Sequence, residues 1–74
     1  MQYKLAGIRK EHGESQKDLA KLLNVNIQSY RNKEMDKTEF KLSEMFKIAK
    51  HYQMRVDDIF LSRKYTIREL EREK

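Results

Sequence analysis

The sequence predicts an all-α domain of five helices. Three features carry that prediction. Apolar residues recur at helical rather than strand spacing almost throughout the chain. Two residues suited to capping a helix start, Ser15 and Asn26, each stand just ahead of a helical run. Between those two runs lie only Asn24, Val25 and Asn26, too few residues for any connection but a tight turn, which is a helix-turn-helix spacing.

Leu5, Ile8 and His12 lie at i, i+3 and i+7 and share one face of a first helix. Gly13 then sits where a glycine ends a helix, because the left-handed backbone costs it no steric strain. The second helix starts at Ser15, with Asp18 three residues on as a shortened capping box, and buries Leu19, Ala20, Leu22 and Leu23. Asn24 is the next best residue after glycine for a left-handed helix end, and Asn26 caps a third helix running from Ile27 to about Met35. Tyr30 is the obvious core residue of that helix, with Met35 at its end. The rest of its surface (Ile27, Gln28, Ser29, Arg31 and Asn32) is left outward, and so polar a helix draws its stability from packing the opposite face.

A loop through Asp36–Glu39 leads to Phe40 and a fourth helix, whose Leu42, Met45, Phe46, Ala49 and Tyr52 form an amphipathic stripe widened by Ile48. A short fifth helix follows over Val56–Leu61, with Asp57 and Asp58 in the first turn, where carboxylates favour the helix dipole. The expected core is Leu5, Ile8, Leu19, Ala20, Leu23, Val25, Tyr30, Leu42, Met45, Phe46, Ala49, Ile59 and Phe60. In that register Phe46→Ala removes a large buried side chain, at a cost of about 3–5 kcal/mol. Residues 1–61 are expected to form the domain and 62–74 a tail. Thr66-Ile67-Arg68-Glu69 is a capping box flanked by Tyr65 and Leu70 as a hydrophobic staple, which predicts a short helix or ordered arm that aids self-association.

Composition narrows the function classes. With 74 residues the chain buries only ~60% of its unfolded surface, so its core is thin. It has no cysteine, which excludes disulfides, a thiol active site and a zinc ribbon. No apolar run approaches the ~20 residues of a membrane span and no signal-peptide core follows Met1, so the expectation is a soluble, cytoplasmic protein. Lys and Arg number 17 against 12 Asp and Glu, and the net charge of +5 favours a polyanionic partner, nucleic acid before membrane. His12 and His51 have no neighbouring ligand pattern, the serines lack a triad or nucleophile-elbow context, and Gly7 and Gly13 make no phosphate loop. Neither an enzyme nor a metal or cofactor site is expected.

The run Ser15-Gln16-Lys17-Asp18-Leu19-Ala20-Lys21-Leu22-Leu23-Asn24-Val25-Asn26 is preceded by Leu5-Ala6-Gly7-Ile8-Arg9. Downstream stand Ile48-Ala49-Lys50 and Val56-Asp57-Asp58-Ile59-Phe60. Over residues 3–61 the chain resembles the phage repressor/Cro, or Xre, helix-turn-helix family. The resemblance implies a repressor-like five-helix domain, with helices 2 and 3 as the helix-turn-helix, that binds double-stranded operator DNA as a homodimer and regulates transcription. It places Ile27, Gln28 and Asn32 where base edges are reached, with Ser29 and Arg31 where base or phosphate contacts vary. Gln16 falls where the family has a phosphate-contacting glutamine that supports the recognition helix.

Physical reasons agree. Outward residues at the start of a recognition helix meet the bases. Gln and Asn pair bidentately with adenine, and Ile27 suits a thymine methyl. Lys17, Arg31, Lys33 and Lys37 are expected phosphate contacts, which attract without reading sequence. Four positions depart from the family pattern: Asn24 stands for the glycine of the turn, which is tolerable, Lys33 replaces an apolar packing residue, Asp36 replaces a glycine, and Lys41 stands at the N-cap of the fourth helix. With Ile27 exposed and Asp36 close by, the alternative is an antirepressor or modulator that binds another repressor protein through the same fold.

Overall fold

In the computed structural model, residues 1–60 are described and form five α-helices. These are α1 (Tyr3–Glu11), α2 (Gln16–Leu23), α3 (Ile27–Glu34), α4 (Leu42–Tyr52) and α5 (Val56–Phe60). The expected tail over 62–74 and its start signal at Thr66 lie outside the described residues.

The helix ends follow the local chemistry of the chain. Gly13 closes α1 at φ 69°, and its N–H donates to Lys10 O at 3.0 Å. Ser15 and Asp18 complete a reciprocal capping box: Asp18 N–H donates to Ser15 Oγ at 3.1 Å and Ser15 N–H to Asp18 Oδ2 at 2.8 Å. Asn24 takes the left-handed conformation at φ 59° and lets Val25 N–H reach back to Ala20 O at 3.0 Å. Asn26 Oδ1 accepts from Ser29 N–H at 2.7 Å, so α3 begins one tight turn after α2 ends. Asp36 (φ 68°) and Gln53 (φ 55°) are also left-handed, just beyond α3 and α4. Asp36 stands where the family pattern has glycine, and its carboxylate is held at 2.6 Å by the Met1 ammonium and at 2.9 Å by Gln2 Nε2. Lys41 has no cap to offer from its own side chain. Glu44 supplies the missing bond by accepting from Lys41 N–H at 2.8 Å.

The core gathers Leu5 and Ile8 from α1, Leu19, Ala20 and Leu23 from α2, Tyr30 from α3, Ile48, Ala49 and Tyr52 from α4, and Ile59 from α5. Phe40, in the α3–α4 loop, is buried between the edge of Tyr30 (centroids 6.1 Å apart) and the ring of Phe60 (5.2 Å). Three members of the expected core, Val25, Met45 and Phe60, are only partly buried. Met35, placed by its sequence position at the end of the core face of α3, is exposed.

The register of α4 differs from the sequence expectation. Leu42 and Phe46 are 64% and 57% exposed, whereas Ile48 is fully buried. The inward arc runs through Glu44, Ile48, Ala49 and Tyr52, and is rotated by roughly 70° from the expected stripe of Leu42, Met45, Phe46, Ala49 and Tyr52. Glu44 explains the rotation. Its carboxylate caps the helix and also pairs with Lys33 Nζ at 3.0 Å, so both side chains are drawn under the helix and only 12% and 10% exposed. Turning Phe46 inward would break both bonds.

This register makes Ile48→Ala the costly truncation in α4, at about 2–5 kcal/mol, with Phe46→Ala costing less. Thermal melts of the two variants check the order; a larger loss for Phe46 would restore the expected register.

Candidate nucleic-acid interface

The outward arc of α3 carries Ile27, Gln28, Arg31, Asn32 and Met35, while Tyr30 and Glu34 point into the domain. Ile27, Gln28 and Arg31 are exposed, and Ser29 and Asn32 are half-buried at the edge of the arc. Gln28 Nε2 donates to Asn32 Oδ1 at 3.1 Å, one helical turn away, so the two amides lie side by side. Lys17, in the first turn of α2, and Lys37, just past α3, are exposed.

A buried polar network sets the angle of this arc. Glu34, fully buried, accepts from Arg9 Nε at 3.0 Å and from Arg9 Nη2 at 3.2 Å. It also accepts from Tyr30 Oη at 2.8 Å and from Gln16 Nε2 at 2.9 Å. Arg9 reaches on to Glu14 O at 2.9 Å, and Arg31 Nε donates to Gln16 Oε1 at 3.1 Å. The chain of bonds thus runs from α1 through α3 to α2 and back to an exposed arginine on α3. Among the described residues no buried side-chain polar atom lacks a hydrogen-bond partner. Burial alone would raise the Glu34 carboxyl, but the bonds from Arg9, Gln16 and Tyr30 outweigh it and hold its pKa below the ordinary value. Desolvation works against the Arg9 cation, and the Glu34 carboxylate more than offsets it. Burial and the same carboxylate push the Tyr30 phenol up, so it stays protonated and donating.

A second cluster ties the end of α4 to the α1–α2 turn. Tyr52 Oη and His51 Nε2–H donate to the two oxygens of Glu14 at 2.6 and 2.7 Å. His12 caps α1, its Nδ1–H donating to Ile8 O at 2.9 Å and its ring lying 4.8 Å from that of Tyr52. Foremost the Tyr52 bond, and then His51, hold the Glu14 carboxyl low.

The expected site residues therefore divide. Ile27, Gln28, Ser29, Arg31 and Asn32 come together on α3 or its flank, with Lys17 and Lys37 exposed on adjoining segments. Gln16 is half-buried and spent on Glu34 and Arg31. Lys33 points the other way: its ammonium pairs with Glu44, bonds Glu39 O at 3.3 Å and lies 6.0 Å from the Phe40 ring centre. Sequence reasoning missed Glu34 altogether. The available signal was its place four residues after Tyr30, on the same buried face, with Arg9 as the one basic residue beside the buried face of α1. Among the described residues there is no cluster of three or more metal-ligating side chains and no helix long and apolar enough to cross a membrane.

The family model of a helix-turn-helix, HTH_3, matches residues 5–59, from Leu5 in α1 to Ile59 in α5. The chain belongs to this family, the Xre-type helix-turn-helix found in Cro and CI repressors. It is a DNA-binding regulatory domain, and α2 and α3 are its helix-turn-helix. No curated protein and no solved structure matches the chain.

Two outcomes are expected of the buried network. Glu34→Ala strands the Arg9 charge and should cost about 3–5 kcal/mol, seen as a collapse of the melting transition. The Glu34, Glu14 and Glu44 carboxyls all lie below their ordinary 4.5 when folded. Their stabilisation is complete above that value and lost as pH falls through the lower folded pKa values. Melting temperature should therefore hold between pH 7 and about 5 and drop steeply below about 4.5; a profile flat to pH 3 would contradict these shifts.

Proposed function

We propose that the protein is a sequence-specific transcriptional regulator of the phage Cro/repressor type. It binds double-stranded operator DNA through α3, as a homodimer in the cytoplasm. The observation that carries this reading is the side-by-side pair of Gln28 and Asn32 at 3.1 Å on the outward arc of α3, with Ile27 at the helix start. Gln and Asn amides match the N6 and N7 of adenine, and an exposed isoleucine suits a thymine methyl. Binding exchanges the Gln28–Asn32 bond for bonds to base edges, so part of the interaction is rehearsed in the free protein. Ser29 lies at the edge of the same arc and takes the more variable contact.

Lys17, Arg31 and Lys37 supply the phosphate contacts, and the first amides of α2, beside Gln16, present the positive end of a helix. Gln16 acts on phosphate only in concert with Arg31, since the two are bonded at 3.1 Å. Lys33 is left out of the phosphate set because its charge already serves Glu44. A homodimer fits the small span of one recognition helix: two copies would read half-sites about 34–36 Å apart.

The second reading is a modulator that binds another repressor protein through the same face. It draws on Ile27 and Met35, 37% and 49% exposed on the outward arc. Asp36 adds little to it, because the N-terminal ammonium and Gln2 already occupy its carboxylate.

A salt series of binding to the DNA flanking the reading frame distinguishes the two. For the DNA reading, Gln28→Ala and Asn32→Ala each lose about 1–3 kcal/mol on the correct site and relax base preference there. Arg31→Ala weakens all sequences alike and reduces the salt slope by about one. A protein contact instead makes Ile27→Ala the worst variant and salt nearly irrelevant.

A further inference from the structure

Gln16 stands between the buried network and the exposed arginine of α3. Its Nε2 donates to Glu34 Oε1 at 2.9 Å, and its Oε1 accepts from Arg31 Nε at 3.1 Å. Chemistry fixes which end of the amide faces which partner. The Glu34 carboxylate only accepts, and the Arg31 guanidinium only donates. Turning the amide over would set oxygen against carboxylate and N–H against guanidinium, and both bonds would be lost at once. Glu34 cannot turn to follow a flipped amide, because Arg9 and Tyr30 hold both of its oxygens.

The bond to Gln16 uses the Nε–H of Arg31 and leaves the two terminal nitrogens, whose paired N–H groups match two phosphate oxygens. Among the described residues no partner takes those two nitrogens, and Arg31 is exposed. We infer that Gln16 is a positioning residue, which does not itself touch DNA but holds the Arg31 guanidinium with its terminal N–H groups free for a phosphate. The inference rests on the DNA reading and changes an assignment within it, since the glutamine expected at a phosphate is bonded to the protein at each end of its amide. A loose arginine gives up rotamer freedom when it meets a phosphate. One already bonded at Nε has given much of it up on folding, and binds the tighter for it. The carboxylate that fixes α3 thus also aims the cation α3 presents. One N–H of Gln16 Nε2 is left over, and a direct bond from it to phosphate is the rival to be separated.

The test is a mutant cycle on the full chain, well below every variant's melting midpoint. Binding is measured at low and moderate salt to the duplex flanking the reading frame and to a scrambled duplex of equal length. Gln16→Ala should weaken binding to both duplexes alike, by roughly two- to tenfold, the cost of ordering one long side chain. In an Arg31→Ala background it should change nothing. The same should hold in an Arg31→Lys background, which keeps the charge but lacks the fixed Nε–H. A Gln16→Ala loss undiminished in either background means a direct phosphate bond or a general loosening of the fold; it overturns the proposal and leaves the DNA reading standing. Native protein without salt-dependent binding to either duplex overturns both. The free protein supplies a second readout. In nitrogen-15 spectra the Arg31 Nε–H should be rigid and slow to exchange with water, and Gln16→Ala should release it. An Nε–H signal indifferent to that substitution refutes the bond on which the positioning depends.

Discussion

The carboxylate of Glu34 is the point on which the domain turns. It is fully buried, it belongs to the helix that carries the outward arc, and it is bonded to Arg9 on α1, to Gln16 on α2 and to Tyr30 on its own helix. A buried ion pair gains little over a well-packed apolar substitute, because desolvation consumes most of its attraction. What it supplies here is geometry. An apolar side chain would let α3 slide or roll against α1 and α2, whereas four hydrogen bonds at 2.8–3.2 Å admit one arrangement. The thin core of a chain this size cannot enforce that by packing alone.

A second charged pair performs the same service one layer away. Lys33 and Glu44 join α3 to α4, and Glu44 also caps the helix it belongs to. The same contact explains how an apparent mismatch, lysine at a position usually apolar, is accommodated. Its ammonium lies 6.0 Å from the Phe40 ring centre and finds a carboxylate partner 3.0 Å away. The consequence is that α4 turns Glu44 under and Phe46 outward.

Where the fold was legible in the sequence, the signal was local. Ser15, Asn24 and Asn26 act within a few residues of themselves, so their roles as caps and turn could be read directly and hold in the structure. Tyr30 was legible because it is the one large apolar group inside a polar helix. The register of α4 was not legible, because a stripe containing Leu42, Phe46, Ile48 and Tyr52 is wide enough to be centred on either side. Only the distant Lys33, brought near by the loop through Phe40, chooses between them. Glu34 escaped for a related reason: an acidic residue reads as surface until its partner, 25 positions earlier in the chain, is known to face it. The positions of Gln28 and Asn32 on an outward arc followed from helical period alone, whereas the diversion of Lys33 away from that arc did not.

The division of labour on α3 bears on how such a protein changes over time. Tyr30 and Glu34 hold the helix in place, and Ile27 and Gln28 take no part in doing so. A substitution at the outward positions therefore alters the surface on offer while leaving the free energy of folding close to where it was. Such a helix can be rewritten one letter at a time, and lineages carrying the same scaffold can diverge in what they bind without first acquiring compensating mutations. Arg31 is the exception, since its bond to Gln16 links the surface to the buried network. Drift there is constrained, and a population sampling new specificities would be expected to leave it for last.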